Sequence, residues 1–371
     1  MLTPADDYPL HQTPEPMAYA GSDRNFYDRF FFNGYSADGS VFFALALGVY
    51  PQLNIMDASF SLSYEGRQYN LRCSKEMLGD RLALSIGPLS IEIVKPMQET
   101  RITIGDYKGA DNQGGLTGEL VATARHQPIE EPRFTRRQGT RLMMDLTRAT
   151  QNIDWHGTLD LRGHKIDITG CRGTRDRSWG IRQVGAADPQ APVPPAPQQF
   201  YWLWTPCNFD KAAFFCHTND DGAGEAWNRK AVFDDFATGR RVALSRIDFT
   251  TDYHDGTRRV SALTLEGEGL RASFTPMARL FYMQGLGYIH PEWNHGTHHG
   301  ALRVGFDEIE LATAEAALKQ GQMENLHVQT LSAVDLEVDG ASHKGQGVIE
   351  QLFIGPHAPS GFQDLVDRIM T

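Results

Sequence analysis

Short runs in which apolar and polar residues alternate recur along this chain. Residues 58–64 (ASFSLSY) and 90–94 (SIEIV) are examples, and Asp38-Gly39 and Glu65-Gly66 are typical turn sequences beside such runs. Strict alternation predicts antiparallel strands with one face toward a core and the other toward water. Asp-Gly favours the tight turn of a hairpin. Because such runs are many and helical periods are few, we predict an all-β chain of antiparallel barrels or sandwiches with minor helices.

The length and composition indicate two domains. The chain has 371 residues, whereas single hydrophobic cores stop growing at about 250–300 residues. With 41% hydrophobic and 22% charged residues, it has enough apolar material for globular cores and lacks the composition of a disordered chain. We predict an N-terminal β domain over residues 1–185, a Pro-rich linker or lid loop over 186–199, and a C-terminal β domain over 200–371.

The charge of the chain argues against polyanionic partners. Its 35 basic and 46 acidic residues give a formal net charge of -11, which offers no basic surface for nucleic acid or an anionic membrane. No stretch approaches the roughly 18 apolar residues of a membrane span, and the first residues lack the features of a secretory signal. We expect a cytoplasmic protein that binds no nucleic acid and is not integral to a membrane. Homo-oligomerisation is left open.

Missing motifs exclude several enzyme classes. The chain contains no GxSxG, HExxH or GxxxxGK[ST] sequence, which removes common hydrolase, protease and NTPase assignments. Its four cysteines, Cys73, Cys171, Cys207 and Cys216, show no CxxC spacing. Each is therefore expected to be a buried thiol rather than a disulfide partner or a zinc ligand.

Residues 170–182 (GCRGTRDRSWGIR) form the leading candidate site. They follow a strand-like run, and their charged side chains would be costly to bury unless they paired with one another. The segment therefore predicts a polar cluster on an apolar β scaffold. Because consecutive side chains of a strand face opposite sides, Asp176 points inward if Arg175 and Arg177 point outward.

This segment also carries a resemblance to a known family. Residues 173–180 read Gly-x-Arg-Asp-x-Ser-Trp-Gly, and residues 201–204, Tyr-Trp-Leu-Trp, open the second β domain. The combination resembles the two-domain lipocalin-like superfamily of the carotenoid 1,2-hydratases and AttH-like proteins, in particular a bacterial branch with Arg-Asp-x-Ser-Trp-Gly. The resemblance implies two lipocalin-like antiparallel β-barrel or sandwich domains packed side by side, with Asp176 and Trp179 at their junction.

The same resemblance implies a reaction and roles for residues. It implies a lyase of hydratase or dehydratase type that needs no cofactor and acts on a bulky hydrophobic substrate, such as a terpenoid, a steroid or an aromatic natural product. Asp176 would be the general acid or base, Arg175 or Arg182 would hold its carboxyl group or a substrate oxygen, and Trp179 would contact the substrate. An ion pair between Asp176 and an arginine, without a catalytic role, is the alternative.

Residues 285–300 (GLGYIHPEWNHGTHHG) hold four histidines within ten positions. His295 and His299 would share a face in a helix, but Pro291 and the glycines argue against a helix. In an extended strand the two would lie ~13 Å apart, too far to share a metal ion. Unless a loop brings them together, we predict no metal site in this segment.

Two interpretations of this histidine-rich segment remain. One is a structural cluster held by hydrogen bonds. The other is an acid-base or substrate-contacting site, because histidine transfers protons near neutral pH and a tyrosine can donate to a substrate oxygen. In that case His290 and Tyr288 would be catalytic, and His295 and His299 would bind substrate.

An aromatic group gives a candidate wall for a flat or isoprenoid ligand: Trp202, Trp204, Tyr282, Trp293 and Phe281. Ordinary core packing explains the same residues equally well. Alternation places Trp202 and Trp204 on one face of their strand. The expected partner is thus a hydrophobic small molecule, which the protein either converts as an enzyme or binds unchanged as a lipocalin-like carrier.

Overall fold

The computed structural model describes residues 2–9, 23–107, 114–190, 193–195, 198–318 and 323–367. The chain divides into two compact units. Unit 1 comprises Met1–Ala196 and Gln284–Glu310, and unit 2 comprises Pro197–Met283 and Leu311–Thr371. The division falls inside the Pro-rich segment 186–199, of which residues 191–192 and 196–197 lie outside the described residues.

Unit 1 is built on one antiparallel sheet, which has 14 strands within the described residues. The order along the main path of the sheet is β21-β4-β3-β2-β1-β13-β11-β8-β7-β6-β5, and β9, β10 and β12 pair with β11. The strands are β1 (Phe26–Tyr35), β2 (Val41–Tyr50), β3 (Ile55–Tyr64), β4 (Arg67–Glu76), β5 (Ser85–Ile86), β6 (Leu89–Lys95), β7 (Glu99–Ile104), β8 (Leu116–Ala124), β9 (Ile129–Glu130), β10 (Phe134–Gln138), β11 (Arg141–Leu161), β12 (His164–Asp167), β13 (Arg172–Arg182) and β21 (Leu302–Glu310).

Unit 2 is built on a second antiparallel sheet, of 9 strands in the residues that the structure covers, in the order β17-β16-β15-β14-β23-β22-β20-β19-β18. The strands are β14 (Phe200–Phe209), β15 (Ala212–Asp220), β16 (Ala226–Asp235), β17 (Arg240–Leu244), β18 (Asp248–Tyr253), β19 (Val260–Gly267), β20 (Leu270–Tyr282), β22 (Val328–Val338) and β23 (Ala341–Ile354).

Helices are minor. The α-helix α1 spans Leu311–Leu318, and short 3-10 helices span Pro4–Asp7, Pro51–Leu53, Met283–Leu286, Met323–Asn325 and Ala358–Ser360. None of the helices in the described ranges has the length and hydrophobicity to cross a bilayer. The predicted all-β class with minor helices is therefore confirmed. The four cysteines are buried, and none forms a disulfide.

One strand lies in a different unit from the one that the predicted, contiguous domain boundaries give it. Residues 284–310 fall in the predicted C-terminal domain, but the structure groups them with unit 1. The reason is β21, which pairs along its whole length with β4, from Leu302 opposite Lys75 to Glu310 opposite Arg67. A strand that completes a sheet edge far from it in sequence leaves no local signal of its destination.

The core of unit 1 lies on one face of its sheet. Phe30, Phe43 and Trp155 belong to a single buried cluster that also contains residues of β3–β8. Trp155 packs edge-on to Phe43 at a ring separation of 5.1 Å, and its indole N–H donates to the Asn33 carbonyl oxygen over 2.8 Å. Because strands from distant parts of the sheet share this cluster, the sheet folds over onto itself.

The opposite face of the same strands is polar and also buried. We call it the polar face; it carries Arg29, Asp57, Ser59, Ser61, Gln68, Asn70, Arg72, Arg148, Asp176 and Ser178. Alternation predicts a face toward water, yet Ser61 and Asn70 are 0% exposed. Part of the cover is the backbone at Gly285, which also belongs to unit 1, because a Cβ added to Gly285 would overlap side-chain atoms of Ser61 and Asn70.

Candidate functional site

Strand β13 distributes the charged residues of the motif over both faces of the sheet. Arg175 and Arg177 lie opposite Phe32 and Phe30, on the face that carries the core. Asp176 lies opposite Phe31 of β1 and Thr150 of β11, on the polar face. This separation follows from the two-residue period of a strand.

Asp176 is held in an ion pair. Arg148 donates from Nη2 to its Oδ2 over 2.8 Å, and Asp176 is 5% exposed. Arg148 also lies 3.6 Å from Glu131, which accepts a hydrogen bond from Thr150 over 2.5 Å. The ion pair that the sequence left as an alternative is therefore present, but its arginine is Arg148 on β11 rather than a neighbour in the motif.

The arginines on the other face do not point into solvent, because the N-terminal segment covers them. Arg175 pairs with Asp7 of the first 3-10 helix, and Arg177 lies 2.6 Å from Asp28. Both arginines are buried, and so is Asp7, at 1% exposed. Trp179 belongs to this face too, with the Arg177 guanidinium 5.9 Å from its ring. Trp179 and Asp176 therefore do not share a face.

A second polar grouping lies around His295. We call it the arginine cluster; it comprises Arg29, Arg182, His295, Tyr288, Asp57 and Tyr50. Arg29 Nη1 contacts His295 Nδ1, and Arg182 Nη2 lies 3.3 Å from the same nitrogen. The Arg29 guanidinium lies 4.6 Å from the ring centre of Tyr288, and the His295 ring lies edge-on to Tyr288 at 4.5 Å.

The hydrogen bonds of His295 define its protonation. Its Nε2 lies 2.9 Å from the Leu286 carbonyl oxygen, which only accepts, so Nε2 carries a hydrogen. A guanidinium only donates, so the Nδ1 that faces Arg29 and Arg182 is unprotonated. His295 is therefore a neutral imidazole whose one lone pair meets two cations.

Asp57 supplies the carboxyl group of the arginine cluster. Its Oδ1 accepts from the Tyr50 hydroxyl over 3.0 Å, and its Oδ2 accepts from the Gly296 N–H over 2.7 Å. Burial raises the pKa of Asp57 above its ordinary value, although the Arg29 charge and the two hydrogen bonds oppose that rise. Gly48 makes the contact possible, because any side chain there would occupy the space of the Tyr50 ring.

His290 does not occupy the arginine cluster. Its Nδ1 accepts the backbone N–H groups of Glu292 at 3.1 Å and Trp293 at 3.0 Å. Burial, assisted by the Arg72 charge, lowers the pKa of His290 to about 4. The structural alternative fits His290 better than proton transfer near neutral pH, because the ring is neutral there and ties its own loop together.

We expect His290 to titrate far below an ordinary histidine. The ¹³C-edited NMR signal of its Cε1–H should move with a midpoint of about pH 4, against about 6.5 for an unperturbed histidine. His290→Gln identifies the signal by its loss. A midpoint above pH 6 would contradict the buried geometry.

The remaining residues of the histidine-rich segment make separate contacts. His299 stacks on Trp293 at 4.3 Å, and its Nδ1 accepts from Arg303 over 3.2 Å. His298 is exposed and contacts Glu76 at 3.0 Å. Within the residues that the structure describes, no group of three or more His, Cys, Asp or Glu side chains is arranged to hold a metal ion.

The aromatic candidates of unit 2 lie in a different buried polar group. Trp202 and Trp204 share a face of β14, as alternation requires, and are 5% and 0% exposed. Trp202 donates from Nε1 to Glu350 Oε1 over 2.8 Å, and His327 Nε2 lies 2.9 Å from the same oxygen. Tyr282, at the end of β20, is 1% exposed. Trp202 thus has a hydrogen-bonding role in addition to its apolar one.

The structure therefore unites only some of the predicted site residues. Arg182, Tyr288 and His295 meet in the arginine cluster, and Asp176 lies along the same face of β13. Arg175 and Trp179 lie on the other face of that strand, and His290, Trp293 and His299 lie in the loop beyond Tyr288. The aromatic residues Trp202, Trp204 and Tyr282 belong to unit 2.

Sequence reasoning missed Arg29, Tyr50 and Asp57. Each lies in a strand whose pattern is ordinary, and the signal available was weak: an arginine among the phenylalanines of β1 and an aspartate in β3. The register identifies them, because Arg29 and Asp57 both lie opposite Gly48. The polar contact between Asp57 and Gly296 then spans 239 positions of sequence.

Comparisons with known proteins place the chain in a family and a fold. A family model described as a family of unknown function, DUF8625, matches residues 2–363. The AttH-like protein of Nitrosomonas europaea has a similar structure, with a TM-score of 0.51, 13% identity, and coverage of 91% of this chain and 97% of that one. This similarity supports the expected AttH-like fold.

Two further solved structures match less closely. Kievitone hydratase from Nectria haematococca gives a TM-score of 0.46 at 10% identity, with 88% of each chain covered. CghA gives 0.45 at 10% identity, covering 89% of this chain and 88% of that one. A comparison with curated protein sequences gave no match.

Proposed function

The chain belongs to the family of unknown function DUF8625, and for this member of the family we propose a function: it is a lyase of hydratase or dehydratase type. It adds water to, or removes water from, a hydrophobic substrate that bears an oxygen function, by acid-base catalysis in the arginine cluster. One observation carries the proposal: Arg29 and Arg182 both contact the imidazole of His295 and form no ion pair with a described residue, and the carboxyl group of Asp57 is held beside them by the Gly296 N–H.

The chemistry needs both kinds of group. To remove water from a β-hydroxy carbonyl compound, a base takes a proton from the carbon beside the carbonyl group, and the hydroxyl group leaves with a proton as water. Negative charge develops on the carbonyl oxygen meanwhile, and fixed donors such as Arg29 and Arg182 stabilise it. Asp57 is proposed as the group that transfers the proton, because its raised pKa lies nearer to the pH at which acid-base catalysis is efficient.

The surroundings support a substrate with flat or isoprenoid apolar parts. The rings of Tyr27 and Tyr288 lie 4.6 Å and 5.9 Å from the Arg182 guanidinium, so apolar faces surround the charged edges. Terpenoid, steroid and aromatic natural products have this combination of apolar body and oxygen function. The resemblance of residues 173–180 to the carotenoid 1,2-hydratases supports the same reaction class.

Asp176 remains the alternative proton carrier that the motif suggests. Asp176 forms an ion pair with Arg148. It lies on the same face of β13 as Arg182. In our proposal Asp176 positions Arg148 and the neighbouring strand, and Asp57 exchanges the proton. The two assignments differ in which aspartate abolishes turnover when it is replaced.

Exchange with heavy water tests the proposed reaction. The purified protein is incubated in D₂O with β-hydroxy ketones, enones and alkenes that bear aromatic or isoprenoid groups. We expect one class to gain or lose the mass of water and to acquire deuterium at the adjacent carbon. A carrier would return its ligand unchanged in mass and without deuterium, and that outcome would replace the enzymatic proposal with the binding one.

A further inference from the structure

Two arginines of unit 1 differ from their buried neighbours. Four others each have a carboxylate partner: Arg72 with Asp307, Arg148 with Asp176, Arg175 with Asp7, and Arg177 with Asp28. Arg29 and Arg182 form no ion pair with any residue that the structure describes. Arg29 and Arg182 thus differ from these four arginines in having no carboxylate partner among the described residues.

Burying these two arginines without an ion-pair partner raises the free energy of the folded state. Arg29 is 2% exposed, and the Nε atoms of both Arg29 and Arg182 are buried without a hydrogen-bond partner among the described residues. A buried charge without a partner is strongly unfavourable. Natural proteins accept such a cost chiefly at functional sites, where a ligand completes the missing interactions.

The contact of Arg29 and Arg182 with His295 offers fewer hydrogen-bond acceptors than the two guanidinium groups have donors. Both direct an Nη atom at His295 Nδ1, which offers a single lone pair, whereas each guanidinium has five donors. The nearby Asp57 does not fill the gap, because its oxygens accept from Tyr50 and Gly296. Several N–H groups therefore remain for an acceptor that none of the described residues supplies.

The aromatic rings fix how such an acceptor would bind. Tyr288 lies against the Arg29 guanidinium at 4.6 Å, and Tyr27 lies against that of Arg182 at 4.6 Å. Stacking on a ring covers the face of a guanidinium and leaves its edge, where the N–H groups form a planar fork. That fork matches the two oxygens of a carboxylate better than a single neutral oxygen.

We infer that Arg29 and Arg182 form a binding site for a carboxylate group, so that the substrate is an organic acid with an aromatic or isoprenoid body. Calling this ligand a substrate rests on the proposed function, but the carboxylate can bind whether or not the protein catalyses a reaction. The carboxylate site narrows the substrate from any β-hydroxy carbonyl compound to a β-hydroxy acid, whose carboxylate is then the carbonyl group that Arg29 and Arg182 contact.

Matched pairs of probes test this inference. Benzoate and trans-cinnamate are titrated into the full chain by calorimetry, beside benzyl alcohol and cinnamyl alcohol, which keep the ring and lose the charge. We expect both acids to bind and the alcohols to bind at least about tenfold more weakly, since hydrogen bonds to charged groups are the stronger ones. In protein labelled with ¹⁵N-arginine, the Nε–H signals of Arg29 and Arg182 should shift on addition of benzoate.

Variants locate the site. Arg182→Gln should weaken benzoate binding at least about tenfold, and Arg29→Lys, which keeps the charge but loses the fork, should weaken it less than Arg29→Gln. Arg172→Gln is the matched control, because Arg172 lies on the same strand and pairs with Asp154 instead. The inference is overturned if wild type binds neither acid, if it binds acid and alcohol equally, or if Arg182→Gln and Arg172→Gln bind benzoate alike.

The inference and the proposed function fail in distinguishable ways. Acids that bind through Arg182 in a protein that produces no change in mass and no deuterium exchange leave the carboxylate site standing and remove the reaction. Turnover of neutral substrates with no preference for acids keeps the reaction and removes the carboxylate site.

Discussion

Replacing Asp57 with asparagine is expected to lower turnover about 10²- to 10⁴-fold, the usual contribution of a positioned proton-transfer group. The amide has nearly the shape of the carboxyl group but cannot exchange a proton. Because burial raises the pKa of Asp57, the folded protein disfavours its charged form, and a neutral amide should be tolerated. We therefore expect an unchanged circular dichroism spectrum and a Tm no lower than that of wild type.

Two other aspartates complete this experiment. Asp154→Asn is the control, because Asp154 is in unit 1 but about half exposed and pairs with arginines outside the arginine cluster. Asp176→Asn is the competing variant. If it abolishes turnover while Asp57→Asn retains most of its activity, proton transfer belongs to Asp176 and the assignment to Asp57 is wrong.

Asp7→Ala is expected to destabilise the protein by about 3–5 kcal/mol, the cost of leaving one member of a buried ion pair without its partner. Asp7 is 1% exposed and holds Arg175, which is 5% exposed, and it also accepts from the Met97 N–H over 2.6 Å. The loss should appear in urea unfolding as a lower transition midpoint with an unchanged slope.

The same pair gives a pH dependence with a defined sign. Burial by itself would raise the pKa of Asp7, but the Arg175 charge and the hydrogen bonds to Asp7 leave this pKa below its ordinary value. The folded state therefore binds this proton less readily than the unfolded chain does, and the pair stabilises the protein fully above about pH 4 and progressively less as the pH falls. Asp7→Ala should flatten this acid limb.

A double variant separates the ion pair from packing. Replacing a whole buried pair with apolar residues is often neutral, so Asp7→Ala combined with Arg175→Met should recover most of the stability that Asp7→Ala alone loses. If Asp7→Ala changes the free energy of unfolding by less than about 1 kcal/mol, the N-terminal helix does not hold Arg175 in solution, and the burial of this face needs another cause.

The strand pattern was readable because it depends on neighbours in sequence. The alternation in residues 58–64 predicted β3 with the correct two faces, and the run at 173–180 predicted that Asp176 and its flanking arginines would separate across β13. Both follow from the two-residue period of the backbone, which needs no knowledge of what packs on either face.

The sequence did not show in the same way whether water or other protein segments cover each face of a strand. The serines of β3 predict a face toward water, yet the turn at Gly285 lies directly on the polar face. Likewise an inward Asp176 required Arg175 to point outward to water, but Asp7, distant by 168 positions, covers Arg175. A polar residue looks the same in sequence whether water or a distant polar partner satisfies it.

Residue-by-residue periodicity was thus enough to establish strands, their two faces and the all-β class, because these properties arise between residues one or two positions apart. The assembly of the arginine cluster depended on strand register and on a loop that returns to β1 and β3 from more than 200 positions away. Arg29, Asp57 and His295 became one site only there, since burial and ion pairing are properties of the surroundings of a side chain and not of its identity.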